Sequence, residues 1–390
     1  MTTLDTSVKY FHSELPNAPV LSGTAGSLIA VLDACLVNGW GVLTAQSVTV
    51  AAGVATANFA GSHSFETDSV LLVAGASDAG VNGEHRATAT TVNSVSFPVT
   101  GVADGAVSGT VTVKLAPAGW SKAFAGTNKA AYRSLSPSAT GACIRIDHTS
   151  AKVARLRAYS AMTDIDTGSD PTPTDTQVAG GCYVPVSNVA DASARRWMIV
   201  ASDRCMHILI AHSATYPEDY GLQVAGDFPS LKAGDAYRVL VVGEIGDNSN
   251  GGSPGVNNSI HAYGGSVGAY VMRPYAQVGG AIPAYLYKPG FVQAASSGHN
   301  NHPIGPNPIN NGIDICPTLF LEQGANGSRR GEVPGVYGIP HYLGSGFDNK
   351  TRINAAVGLP GHTLISVRYW GQPTLAQSYR AAIDITGPWE

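Results

Sequence analysis

Ser47-Val48-Thr49-Val50-Ala51-Ala52-Gly53-Val54-Ala55-Thr56-Ala57-Asn58-Phe59 alternates apolar and small polar side chains with a period of two on both sides of Gly53. That period is the pleat of a half-buried strand, and the Val and Thr content suits a pleated surface. Gly53 supplies the turn that folds the two runs together. Further runs follow at 70–73, 86–91, 95–99 and 110–115. Gly61-Ser62, Asn82-Gly83, Asn93-Ser94 and Asp104-Gly105 separate them, and Asn82-Gly83 is read as a hairpin turn because both residues tolerate positive φ. Six short strands within residues 44–116 predict a small antiparallel β-barrel or sandwich.

Upstream, residues 22–39 carry the clearest helical pattern, with Leu28, Val31, Leu32, Cys35 and Leu36 at helical spacing. Ser22 or Thr24 is the expected cap, and Gly39 the stop signal. Downstream, Pro117-Ala118-Gly119-Trp120 is read as a linker back to a larger body. Strand patterns continue at 143–147, 152–158, 181–186, 197–201, 206–211, 237–244, 362–369 and 381–385. Ser202-Asp203-Arg204 is the expected turn of a hairpin between two buried strands. Residues 246–268 and 296–312 are rich in Gly, Asn and Ser and read as long loops, which commonly carry contacts. The expectation is a mainly β protein: a small β module (44–116) inserted after an N-terminal segment and helix (1–43) that belongs to the main body, and a larger β-rich body with few helices (117–390). No internal repeat or heptad pattern points to a fibre shaft.

Composition narrows the partners. Of 390 residues only 13 % are charged, the formal net charge is −4, and there are 46 Gly and 23 Pro. A typical chain carries about a quarter charged residues, so the surface is unusually neutral. No basic field is present to hold a phosphate backbone, and nucleic acid is not an expected partner. Cys35, Cys143, Cys182, Cys205 and Cys316 are odd in number and lack a CxxC, arguing for free thiols in a reducing compartment. Residues 1–16 lack the apolar core of a signal peptide, and 28–37 is too short to span a bilayer and is broken by Asp33. Membrane insertion is therefore not expected.

The groups able to carry chemistry are few. Asp164, Asp166 and Asp170 with Gly168 bring oxygens together, but the spacing is short of an EF-hand loop, and a solvated Asx-rich turn is the preferred reading. His299 and His302 lie three apart in a Gly/Asn loop and need a third ligand to hold a metal. His207 and His212 fall on opposite strand faces and read as structural. His341-Tyr342-Leu343-Gly344-Ser345-Gly346 lacks the spacing of a nucleophile elbow. Tyr263, Tyr270, Tyr275, Tyr285 and Tyr287 crowd one region, where they fill core and subunit contacts or grip a glycan. No catalytic, cofactor-binding or metal-binding residue is assigned, and an enzyme is not expected.

The stretch 15–41, opening Leu15-Pro16-Asn17-Ala18-Pro19-Val20-Leu21-Ser22-Gly23-Thr24 and closing Asn38-Gly39-Trp40-Gly41, resembles a module of virion structural proteins of tailed bacteriophages. The resemblance continues through Ala118-Gly119-Trp120-Ser121-Lys122, Tyr132-Arg133, 143–147 and Thr163-Asp164-Ile165-Asp166-Thr167-Gly168. The segment with Gly61-Ser62-His63-Ser64-Phe65 is similar to small β modules inserted in phage particle proteins. The resemblance spans residues 15–210 and brings no catalytic residues. It implies a multi-copy structural component of the tail or baseplate, made in the bacterial cytoplasm and resident in the virion, contacting other virion proteins and copies of itself. A capsid decoration protein or a receptor- and glycan-binding tail protein is the alternative.

Overall fold

The computed structural model describes residues 4–249, 267–287, 307–309, 312–322, 327–339, 348–354, 356–370 and 379–389. The quoted alternation becomes the strands Ser47–Ala51 and Val54–Asn58, paired antiparallel around Gly53 at φ 76°. Gly105–Val107 flanks them on one side, and Ser94–Pro98 then Ala89–Thr90 on the other, giving a five-stranded sheet. A second sheet orders Trp40–Thr44, Thr112–Leu115, Val70–Ala74 and Gly83–Arg86, so it begins upstream of the first strand read from the sequence. Val48, Val50, Ala55, Ala57, Val95 and Phe97 of one sheet and Leu71, Val73, Val113 and Leu115 of the other are buried in one cluster. Two separate antiparallel sheets over a shared core make this a sandwich.

Three local expectations inside the module are corrected. The run 86–91 is not one strand, because the chain changes sheets at Ala87-Thr88: Ala87 N–H donates to Ser69 O, and Thr88 N–H to Ser96 O, at 2.9 Å each. Asn82-Gly83 does not form a two-residue turn. Asn82 is extended (φ −79°, ψ 152°), and its side-chain amide binds both Ala76 N–H (3.0 Å) and Ala76 O (2.8 Å), closing a wider loop. Gly105 begins a short strand instead of merely turning the chain.

The helix is also shorter and differently capped than expected. It runs as an α-helix from Ser27–Leu32 and continues as a π-helical turn over Asp33–Asn38, stopping at Gly39 with φ 66°. Ser22 belongs to a short strand paired with Ala194 and shares a hydrogen bond with Thr24 at 2.7 Å, so neither hydroxyl caps the helix. His148 does the work from a distant strand end. Its ring Nδ1 accepts the Leu28 N–H at 3.2 Å, and its carbonyl accepts the Gly26 N–H at 3.0 Å. These bonds satisfy donors that a helix start leaves open.

The body is antiparallel throughout its main sheet. Trp120–Gly126, Lys129–Ser134, Cys143–Asp147, Val153–Tyr159 and Cys182–Pro185 follow one another as neighbours. A second run orders Lys9–His12, Ala194–Ala201, Cys205–Ala211, Gly221–Asp227, Val239–Glu244, Val267–Val271, Ile282–Tyr287, Cys316–Glu322, Arg329–Gly338, Tyr379–Asp384 and Leu364–Trp370. The two runs touch at Tyr183 and Glu244. The hairpin around residues 202–204 forms as expected. The chain is therefore mainly β, with a small β module inserted after an N-terminal helix and a larger β-rich body.

The module is fixed to the body by a polar seam. Arg86 is 4 % exposed, and its guanidinium donates to five main-chain carbonyls: Asp5 and Asp68 at 2.7 Å, Val8 at 3.1 Å, Thr386 at 3.0 Å and Ile385 at 3.3 Å. Lys9–Glu84 (2.8 Å), His12–Glu66 (3.2 Å) and Arg352–Asp68 flank it. Behind the seam, the rings of Phe11, Trp40 and Trp197 join the module core to the body core.

Candidate functional site

Antiparallel order places several connections at one end of the body. The turn 202–204 and the loops 228–238 and 272–281 lie there together, as the registers Cys205–Gly226, Gly226–Leu240, Leu240–Val271 and Val271–Ile282 require. Glu322 pairs with Ala284 and Leu321 with Arg329, so Glu322 and Arg329 lie at the same end.

A buried charge network ties these loops. The Arg330 side chain has no exposure and pairs with Asp235 at 2.6 Å and with Glu322. Glu322 also accepts the Tyr275 N–H at 3.0 Å, and Asp235 accepts the Ser230 hydroxyl at 2.7 Å. The Arg330 guanidinium lies 5.3 Å from the Tyr275 ring centre, within cation–π range. Lys232 donates to Tyr275 O at 2.6 Å, joining loop 228–238 directly to loop 272–281. Arg273 stacks on Tyr237 at 4.0 Å and pairs with Asp170 at 3.0 Å, which draws in the loop after Tyr159. Gln177 donates to Ala281 O at 2.7 Å from the same direction. On top of this framework Leu231, Tyr275 and Val278 are 57 %, 48 % and 74 % exposed.

Beside it is a cavity of about 220 Å³ lined by Ser202, Arg204, Cys205, Asp227, Phe228, Pro229, Ser230, Arg238, Pro334 and Trp389. Asp227 accepts both the N–H and the hydroxyl of Thr140 at 2.7 Å, and burial raises its carboxyl above the ordinary range. Burial also raises the Cys205 thiol, leaving it un-ionised.

The acidic triplet proves to be a fastened turn. Asp164 accepts the Asp166 N–H at 2.8 Å, the Asx-turn geometry. Asp166 is held by Lys129 and Arg145 at 2.7 Å each, and these cations keep its carboxyl below the usual range. Asp170 is bound by the Ser160 hydroxyl at 2.8 Å and then by Arg273. The three carboxylates thus face different cations and donors. Among the described residues no group of three or more His, Cys, Asp or Glu is placed to hold a metal ion.

His207 is fully buried and stacked on Trp389 at 4.4 Å, and burial lowers its pKa to about 3; His212 is also buried. Tyr270 is buried in the core, Tyr275 stands at the loop end, and Tyr285 lies in the strand Ile282–Tyr287. His299, His302, Tyr263, the Tyr287 side chain, the run 341–346 and most of both Gly/Asn-rich stretches lie outside the described residues. His362 pairs with Asp384 at 2.9 Å, but Asp384 also accepts the N–H of Thr386 and Gly387, so the pair fastens the turn after the last strand. All five cysteines are free, four of them buried.

Sequence reasoning missed Arg330, Asp235 and Glu322. Nothing local marks them: Arg330 reaches Asp235 across 95 positions and Glu322 across eight, from the next strand, and a charged residue in a short strand reads as solvent-facing. No helix among the described residues is long and apolar enough to cross a membrane. Compared with known proteins, the chain matches no family model, and no curated protein matches it.

Proposed function

We propose that the chain is a structural component of a tailed-phage particle, present in several copies at the tail or baseplate, whose loop end contacts neighbouring subunits. The observation that carries this reading is the loop end itself, where a buried Arg330–Asp235–Glu322 network holds the loops 228–238 and 272–281 and leaves Leu231, Tyr275 and Val278 exposed. Rigid apolar side chains within a charge-poor surface lose little entropy when a neighbour covers them. His148 caps a helix, Asp164 closes a turn and Asp170 pairs with Arg273, roles that fit a mechanical part. The resemblance of residues 15–41 to virion structural modules supplies the particle context.

Immunogold electron microscopy of purified particles, with antibody against the recombinant chain, tests it. Gold confined to the distal tail is the expected result. Gold spread over the heads would make the chain a decoration protein, and no gold on intact or disrupted particles would remove the particle assignment.

A further inference from the structure

We propose that the cavity between residues 202–205, 227–230 and 238, closed by Pro334 and Trp389, binds an organic carboxylate carrying one ring-sized body. Its volume of about 220 Å³ exceeds the ~150 Å³ cavity that accommodates benzene, so one ring with a carboxyl group fits. Phe228, Pro229, Pro334 and Trp389 give it apolar walls.

Its charge selects an anion. Arg204 and Arg238 line it, with side chains 30 % and 29 % exposed. Arg204 is drawn to its neighbour Asp203 across 3.6 Å, longer than a hydrogen bond. Arg238 donates to Ser138 O at 2.6 Å and stays 3.9 Å from Asp227. Asp227 is the one carboxylate in the lining, and both its oxygens are occupied by Thr140. Within the lining two partly exposed guanidinium groups stand against one carboxylate whose oxygens are both engaged, and a guanidinium fork matches a carboxylate's two oxygens. The same chemistry is offered by a free acidic sugar and by an acidic side chain of a partner protein.

The test uses the purified full chain and is independent of where it sits in a particle. Benzoate, its neutral isostere benzamide, methyl glucuronide and N-acetylglutamate amide are titrated by ligand-observed NMR. Benzoate and at least one of the two natural-type acids should bind at millimolar concentration, and benzamide should bind at least about tenfold more weakly, the worth of one charge-assisted hydrogen bond. Preference for the glucuronide assigns an acidic sugar, and preference for the glutamate derivative a partner side chain. Arg204→Gln should weaken benzoate by a similar factor without shifting the melting temperature, and Arg204→Lys should restore part of it. Benzamide binding as well as benzoate, no binding by any acid, or unchanged affinity in Arg204→Gln would overturn the proposal.

Discussion

Arg86 illustrates how one side chain can join two parts of a fold. All five of its N–H bonds are directed to carbonyl oxygens, on the module's own loop at Asp68 and on the body at Asp5, Val8, Ile385 and Thr386. Only a guanidinium offers five donors in a planar fork, so lysine cannot replace it. Removing it strands several buried carbonyls at once. Arg86→Met is expected to lower the unfolding free energy by about 3–5 kcal/mol, and Arg86→Lys to recover less than half of that, in urea titrations. A loss below about 1 kcal/mol would mean that the apolar contacts behind the seam hold it alone. The buried histidines set the acid limit. Burial lowers His148 to about 4 and His207 to about 3, whereas both take up protons near pH 6.5 once unfolded. The unfolded chain therefore binds more protons below pH 6.5, and stability present above that value is lost as pH falls toward 4, by up to about 1.4 kcal/mol per unit for each ring. Glu244 acts in the opposite sense. Burial raises it to about 8, so its contribution is lost as pH rises from about 4.5 to 8. His207→Phe keeps a ring against Trp389 and should flatten the acid side of the stability profile without changing the alkaline side. An unchanged acid slope would place the acid sensitivity elsewhere.

Elements differ in how openly the sequence declares them. The alternation at 47–59 and the apolar runs at 197–211 declare their strands because each carries its burial pattern within a few residues. Lys9–His12, Gly221–Asp227 and Arg329–Gly338 are not legible in the sequence, for a shared reason. Their Lys, Arg, Gln and Asp side chains are buried through partners far away in sequence: Lys9 by Glu84, Asp227 by Thr140, Arg330 by Asp235. The helix cap was illegible likewise, since His148 lies 120 residues from the N–H it accepts. The candidate site was less legible than the fold. Tyr275 was visible as one of a cluster, but the network that positions it was not. That network makes a loop-level prediction. Arg330→Met leaves Asp235 and Glu322 buried without their cation, a loss of about 3–5 kcal/mol. Because both carboxylates anchor loops, hydrogen exchange should quicken first at the Tyr275, Gln277 and Tyr237 amides, which bond to Glu322, Pro274 and Asp235. Uniform quickening through the module as well would show the network holding the whole fold instead of its loop end.

At the scale of the whole molecule, the module and the body share one core, because a single buried cluster runs from the helix through Phe11 and Trp197 into the sandwich. The module therefore presents a fixed face to any neighbour, and the loop end presents another. These faces carry different apolar residues: Val92 on the module is 78 % exposed, and Leu231 and Val278 at the loop end are 57 % and 74 % exposed. A stable subunit contact excludes water from its apolar centre, so a carboxylate placed there should break it while leaving an exposed position's fold intact. Leu231→Asp with Val278→Asp is expected to keep the wild-type melting temperature to within about 2 °C, as surface substitutions do, yet to remove the chain from particles assembled in a complementation assay. Val92→Asp tests the module face in the same assay. If the loop-end pair enters particles normally and Val92→Asp does not, the subunit contact belongs to the module and the loop end faces outward. If both enter normally, neither face is the contact, and the assembly role assigned to the loop end fails.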